Sequence, residues 1–302
     1  MALGQQFVAA FAAILSCLLF AGRCNAQATL LAAETSPPVM TGSTFGPVLD
    51  EGRADKTLSI DPQAQTTSPA PSTATNEDGH WHVAAVPYLW FPGMHGTIGA
   101  LGHNVSVHVG ATDILSHFRF GLAGITEFRR NHLVAPVDFM WVRLGEDKAL
   151  PFPNVGAQSA DIKMAELILT PEIGYRLINH EKYKIDAVTG FRYWHLAQSA
   201  DFSPQTIDNF SISQNWVAPL VGARVQTALS PKVALNVFGD VGGWGAGSQL
   251  EYQVVGLLGY RLNPKWLLQV GYRYLDVNYR SGSTLMDIAM PGIMFGATIK
   301  LK

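Results

Sequence analysis

From Trp81 to the C-terminus, apolar and polar residues alternate with a period of two, with almost no helical spacing to interrupt the pattern. Such a period places alternate side chains on opposite faces of an extended strand. Between Leu250 and Leu262 the even positions are Leu250, Tyr252, Val254, Gly256, Leu258, Tyr260 and Leu262, whereas Gln249, Glu251, Gln253 and Arg261 occupy odd ones. Trp266, Leu268, Val270, Tyr272 and Tyr274 likewise oppose Gln269, Gly271 and Arg273, and Ile293, Phe295, Ala297, Ile299 and Leu301 oppose Gly292, Gly296, Thr298 and Lys300. The chain is therefore all-β. About ten strands are expected, with eight or twelve as the alternatives: near 81–91, 118–129, 132–144, 160–178, 182–198, 212–229, 232–244, 248–262, 265–279 and 287–301.

The connections carry the next constraint. Arg130-Asn131, Asn179-His180-Glu181, Ser230-Pro231 and Asn263-Pro264 are tight turns by their residue chemistry. Longer segments near 92–117, 145–159, 199–211 and 280–286 fall between them, with a short Gly-rich exception at Ala246-Gly247. Alternating short and long connections, with both chain ends on the short side, describe a closed antiparallel barrel that crosses an outer membrane. In this layout the first long loop, Thr97 to Val109, is a small hairpin turning at Gly102-His103-Asn104, followed by one helical turn, Thr112–Ser116, capped by Thr112. It either plugs the barrel mouth or covers its rim.

Alternation alone does not say which face meets lipid, so the identity of the polar set has to decide. That set consists of single mid-strand charges among glycines: Glu127, Asp138, Glu166, Glu172, Arg176, Asp186, Arg192, Arg224, Asp240, Glu251, Arg261 and Arg273, with Arg119 a further candidate. The opposite face is apolar and carries Trp141, Tyr175, Tyr183, Phe191, Tyr193, Tyr260, Trp266 and Tyr274, which suit the interfacial girdles of a membrane barrel. The charges are accordingly assigned to the lumen as a mutually paired network. Eight to ten strands enclose little more than their own side chains, so the network is expected to close the lumen.

Upstream, Phe7 to Gly22 is apolar and is followed by an A-x-A site at Ala26-Gln27-Ala28, so residues 1–28 read as a secretory signal peptide. Cys17 and Cys24, the 2 cysteines of the chain, both lie in that segment, which excludes disulfides and thiolate chemistry from the mature protein. Residues 29–79 are rich in Pro, Ser and Thr and read as a disordered linker on the periplasmic side, leaving 80–302 as the barrel.

The motifs PYLWFPG at 87–93, ATDILSHFRFG at 111–121, WVAPLVGARVQ at 216–226, GGWGAGSQLEYQ at 242–253 and GYRYLDVNY at 271–279 resemble those of the uncharacterised outer-membrane β-barrel proteins of Gram-negative bacteria. The resemblance spans the whole patterned domain and implies location and fold but no activity. The partners it implies are outer-membrane lipids and the barrel-assembly machinery, together with an unidentified periplasmic partner for the linker.

Chemistry-bearing motifs are sparse. With 21 basic against 23 acidic residues and no basic run, nucleic acid is not an expected partner. Six of the 9 histidines (His80, His82, His95, His103, His108, His117) lie near the first loop, without the spacing of a metal site, so no metal and no cofactor are expected. No G-x-S-x-G occurs; His195, with Ser199 and Asp201 nearby, supports only the alternative of a lipid- or peptide-modifying hydrolase. The expected function is a non-enzymatic barrel with a charge-filled, largely closed lumen and a structural or interaction role, with a narrow small-solute channel as the other alternative.

Overall fold

A computed structural model describes residues 79–100, 103–149, 159–203, 209–282 and 284–301. The signal peptide expected over 1–28 and the linker expected over 29–79 fall, apart from Gly79, outside the described residues. The elements are β1 (His82–Pro92), β2 (Met94–Ala100), β3 (His103–Val109), α1 (Ala111–Ser116), β4 (Phe118–Arg130), β5 (Leu133–Ala149), β6 (Ser159–Asn179), β7 (Tyr183–Ser203), β8 (Phe210–Ala228), β9 (Val233–Gly243), β10 (Ser248–Arg261), β11 (Trp266–Ser281) and β12 (Thr284–Lys300).

Ten antiparallel strands, β1 and β4 to β12, run in sequence order around the sheet, and β12 returns to pair with β1 and close it. Closure leaves no strand edge facing hydrocarbon, which offers no hydrogen-bond partner for one. The hairpin β2–β3 is the addition to those ten. Its first strand continues β1 along the same partner in the same register: Ala84 lies opposite Lys300, Pro92 opposite Gly292, His95 opposite Ala289 and Gly99 opposite Leu285. Across the break, the Gly93 N–H donates to the Pro291 carbonyl at 2.8 Å. The first loop is thus part of the barrel wall rather than a plug or a rim cover. α1 spans Ala111–Ser116 with Gly110 as its N-cap, so Thr112 is not the cap; the Asp113 carboxylate accepts from the Gly110 N–H at 3.2 Å.

Strand length explains where the sequence reading fell short. A strand crosses a membrane in about 9–11 residues, yet β6 and β7 each have 21. The excess lies on the side of the long loops, and there the two faces exchange character. Along β7 the outward residues change from Tyr183, Ile185 and Phe191 to His195, Ser199 and Asp201. Its inward residues change from Asp186 and Arg192 to Trp194, Ala200 and Phe202, all buried. β11 turns over in the same way, from exposed Val270 and Tyr272 outside to Asp276 and Asn278, and from buried Arg273 inside to Leu275, Val277 and Tyr279. The side facing water is polar outside and apolar inside; the side facing lipid is the reverse. β5 and β7 run past their expected ends at 144 and 198, to Ala149 and Ser203, by continuing the two-residue period with the faces exchanged.

The ladder is interrupted in two places. β1 pairs with β4 only as far as Pro87 opposite Gly124, and β8 pairs with β9 only as far as Leu220 opposite Gly242. Side chains close what the backbone leaves open: Leu144, Ile162, Phe202 and Trp216 from β5 to β8 join Val277, Met286, Met94 and Val107 from β11, β12, β2 and β3 in one apolar cluster. The β9–β10 hairpin is tight, with positive φ at Gly243, Trp244, Gly245 and Gly247. At Gly247 a Cβ would overlap the Val217 carbonyl of β8, so the close approach of that hairpin to β8 depends on glycine.

The lipid-facing belt yields a direct prediction. Leu258 is exposed on β10 between Leu235 of β9 and Val270 of β11, within the apolar exterior and two residues from the girdle residue Tyr260. Leu258→Arg is expected to cost about 1–3 kcal/mol, between the penalties for a guanidinium at the interface and at the bilayer midplane. Chemical denaturation in lipid vesicles checks this; an unchanged midpoint would move β10 out of the hydrocarbon.

Candidate functional site

The interior of the membrane-spanning half is built from charged residues of alternate strand positions, brought together by register. On the turn side, Arg176 of β6 lies opposite Asp186 of β7, which lies opposite Arg224 of β8. Arg176 Nε and Nη2 donate to the two Asp186 oxygens at 2.8 and 3.2 Å. Arg224 reaches Glu127 on β4 at 2.7 Å, and Glu127 also pairs with Arg129.

Further in, Arg192 is the hub. Its Nη2 donates to both oxygens of Asp240 at 3.0 and 2.9 Å, its Nη1 to Glu251 at 3.2 Å and its Nε to Thr170 Oγ1 at 3.2 Å. Asp240 accepts a further bond from Gln253 Nε2 at 3.0 Å. Arg192 and Glu251 are fully buried, so each charge depends on these partners. The second Glu251 oxygen accepts from Trp194 Nε1 at 3.1 Å and from Ser248 Oγ at 2.9 Å, and Trp216 Nε1 donates to Ser248 Oγ at 2.9 Å. Glu251 therefore joins the ionic layer to the aromatic residues above it. Trp194 stacks on Trp216 with centroids 5.3 Å apart, and Trp216 on Tyr279 at 4.1 Å, which bridges β8 to β11 over the short hairpin.

On the facing wall, the Tyr88 hydroxyl donates to Asp138 at 2.7 Å and accepts from Arg273 Nη1 at 3.0 Å. Arg273 also lies 3.2 Å from Asp138, with its guanidinium 4.7 Å from the Trp90 ring centroid. That stacking is a cation–π contact in a desolvated setting.

Of the twelve charges read from the sequence, Arg261 is the exception: it is exposed at the turn-side end of β10 and takes no part in the interior network. Arg119 also lies elsewhere, on the outer wall, where it pairs with Asp161. Mutual pairing is incomplete in two cases. Glu166 and Glu172 are buried without a cation within 4 Å among the described residues, and Glu172 Oε1 has no hydrogen-bond partner. The residues that sequence reasoning missed are Tyr88, Arg129, Thr170, Trp194, Trp216, Ser248 and Gln253. Tyr88 and Trp194 were detectable in principle, as aromatics occupying the charged parity of their strands.

All eight girdle aromatics share the outward parity. Tyr175, Tyr183, Tyr260 and Trp266 are exposed toward the turn side; Trp141, Tyr193 and Tyr274 lie toward the loop side, and Phe191 is two residues below Tyr193. Phe120 packs edge-on against Trp141 at 5.4 Å, and Tyr252 stacks with Tyr274 at 5.9 Å, extending the loop-side set. His195 is also outward, its Nδ1 2.6 Å from Asn215 Oδ1, while Asp201 is bound to Lys163 at 3.0 Å.

No family model matches the sequence, and no curated protein does. Solved structures do. The outer membrane protease OmpT from Escherichia coli is similar at 10% identity and a TM-score of 0.48, covering 74% of this chain and 98% of that one. Ail, the attachment invasion locus protein of Yersinia pestis, follows at 12%, 0.35, 73% and 98%. Neisserial surface protein A is similar at 15%, with a TM-score of 0.30 and coverages of 73% and 97%. In this chain itself, a closed antiparallel ladder surrounds ionised residues while leucines, valines and aromatics face outward. Its fold is that of an outer-membrane β-barrel.

Proposed function

We propose that this protein is a sealed, non-catalytic outer-membrane barrel with a structural or interaction role. The observation that carries the reading is the division of the interior into two filled layers. Next to the turns, Arg176, Arg192, Arg224 and Arg273 are each engaged by carboxylates. Toward the loops, apolar side chains from the facing strands meet in one cluster. An ion entering from the loop side meets hydrocarbon, and one entering from the turn side meets guanidiniums already paired with carboxylates. Both layers oppose permeation, the first by desolvation and the second by the cost of breaking buried pairs. What extends beyond the membrane is a polar-surfaced β-structure suited to contact with other molecules.

Planar-bilayer recording tests the reading. The wild-type protein is expected to give no stable openings, and a Trp194→Ala, Trp216→Ala double variant to raise the leak by opening the aromatic layer. Stable nanosiemens-scale openings from the wild type would replace this proposal with a channel.

A further inference from the structure

We infer that the outer wall above the loop-side girdle carries a binding site for the phosphate of a lipid head group, centred on Arg143. A bulge between Phe118 and Phe120 puts Arg119 on the outer face, and Arg143 of β5 and Lys163 of β6 share that face. Gly145, opposite Lys163, leaves the space through which Arg119 crosses β5; a side chain there would collide with its guanidinium. Arg119 thereby reaches Asp161 at 3.2 Å and Asp147 at 3.7 Å, while Lys163 contacts Asp161 at 2.6 Å and Asp201 at 3.0 Å. Hydrogen bonds that it donates to Asp161 and then Asp201 raise the Lys163 ammonium above its usual range, so it stays charged.

Arg143 differs from both. Among the described residues no carboxylate lies within 4 Å of it, and its guanidinium sits over the Trp141 ring at 4.8 Å from the centroid. Beside it is a recess of about 490 Å³ lined by Arg119, Lys163 and the small residues Ala165, Ala197 and Ser199. Three carboxylates hold Arg119 and Lys163 in place, and Arg143 is the cation of the group left, among the described residues, without a carboxylate partner, free to engage an anion directly. Depth selects the occupant. Trp141 and Phe120 belong to the interfacial girdle, so the recess opens where acyl chains end and head groups begin, and phosphate is the anion found there. The planar fork of an arginine held over a tryptophan ring suits bidentate phosphate recognition.

Native mass spectrometry of the full chain in detergent micelles, titrated with lipid A and with the same lipid stripped of its phosphates, tests the site. Arg143→Ala is expected to weaken lipid A binding about fivefold, as for one interfacial cation removed. Arg130→Ala is the matched control, since Arg130 lies over Trp81 at the turn-side rim, 5.8 Å from the centroid; its binding should equal wild type. The dephosphorylated lipid should bind wild type and Arg143→Ala equally weakly, and excess inorganic phosphate should not displace lipid A. Equal binding of both lipids by the wild type, or an Arg143→Ala variant indistinguishable from it, would overturn the site. Displacement by inorganic phosphate alone would reassign it to a free anion and overturn the lipid assignment.

Discussion

Arg192→Met is expected to destabilise the barrel by about 3–5 kcal/mol, the penalty for removing one partner of a buried ion network. Methionine roughly keeps the length of the side chain but leaves two carboxylates behind. Asp240 retains only Gln253, and Glu251 only Trp194 and Ser248. Neutral donors do not replace a guanidinium for a charge buried this fully, so most of the cost is that of orphaned anions rather than lost attraction. Arg192→Lys should also be costly, because an ammonium cannot serve Asp240 and Glu251 in the forked geometry at once. Urea unfolding in micelles, followed by the loss of heat-modifiable gel migration, measures both. The triple replacement Arg192→Met, Asp240→Leu, Glu251→Leu should lose less than Arg192→Met alone, since it removes the stranded charges too. If the triple variant proved the worse of the two, net attraction and not desolvation would be the larger contribution of the network.

Trp216→Ala is expected to be comparably severe, at about 3–5 kcal/mol for a large aromatic truncated in a core, but with a different spatial signature. Backbone pairing of β8 with β9 ends at Leu220 opposite Gly242. Beyond that point the Trp216 ring, stacked between Trp194 and Tyr279, connects β8 with β11. Truncation leaves Ser248 without its indole donor and opens the gap above the hairpin. Hydrogen exchange should therefore accelerate in the loop-side parts of β8 and β11 and stay slow around Arg176 and Asp186. A uniform acceleration, or none, would show that the aromatic stack does not hold that seam.

How much of this was visible in the sequence follows from what a period-two pattern encodes. Parity assigns faces, and so Arg192, Asp240, Glu251 and Arg273 could be assigned together to one side of the sheet from their positions alone. Partnership needs register, which sets Arg176 opposite Asp186 and brings Arg192 to Glu251 across two intervening strands; single-strand reading does not contain it. Arg261 shows a second limit, because parity says nothing about depth, and a residue on the inward side at a strand end is bathed by water. Arg119 shows a third: the bulge at Phe118–Phe120 shifts parity by one and moves the guanidinium to the outer wall. The ends of β5 and β7 past 144 and 198 lie in the segments where the faces have exchanged, whereas β6 and β11, which also exchange, were legible through it. The hairpin of the first loop was legible as β2 and β3, but that β2 prolongs β1 along β12 was not, since the two are separated only by Gly93 and share a partner remote in sequence.

The exchange of greasy and polar faces partway along the long strands such as β7 and β11 has a consequence for how the cylinder sits in its bilayer. Raising it by one turn of the pleat would strip Phe191 and Tyr272 of their acyl surroundings; lowering it would drown Asp201, Asp276 and Lys163 in oil. Either displacement is penalised on several long strands at once, so the protein carries its own waterline and is restored to it after any vertical excursion.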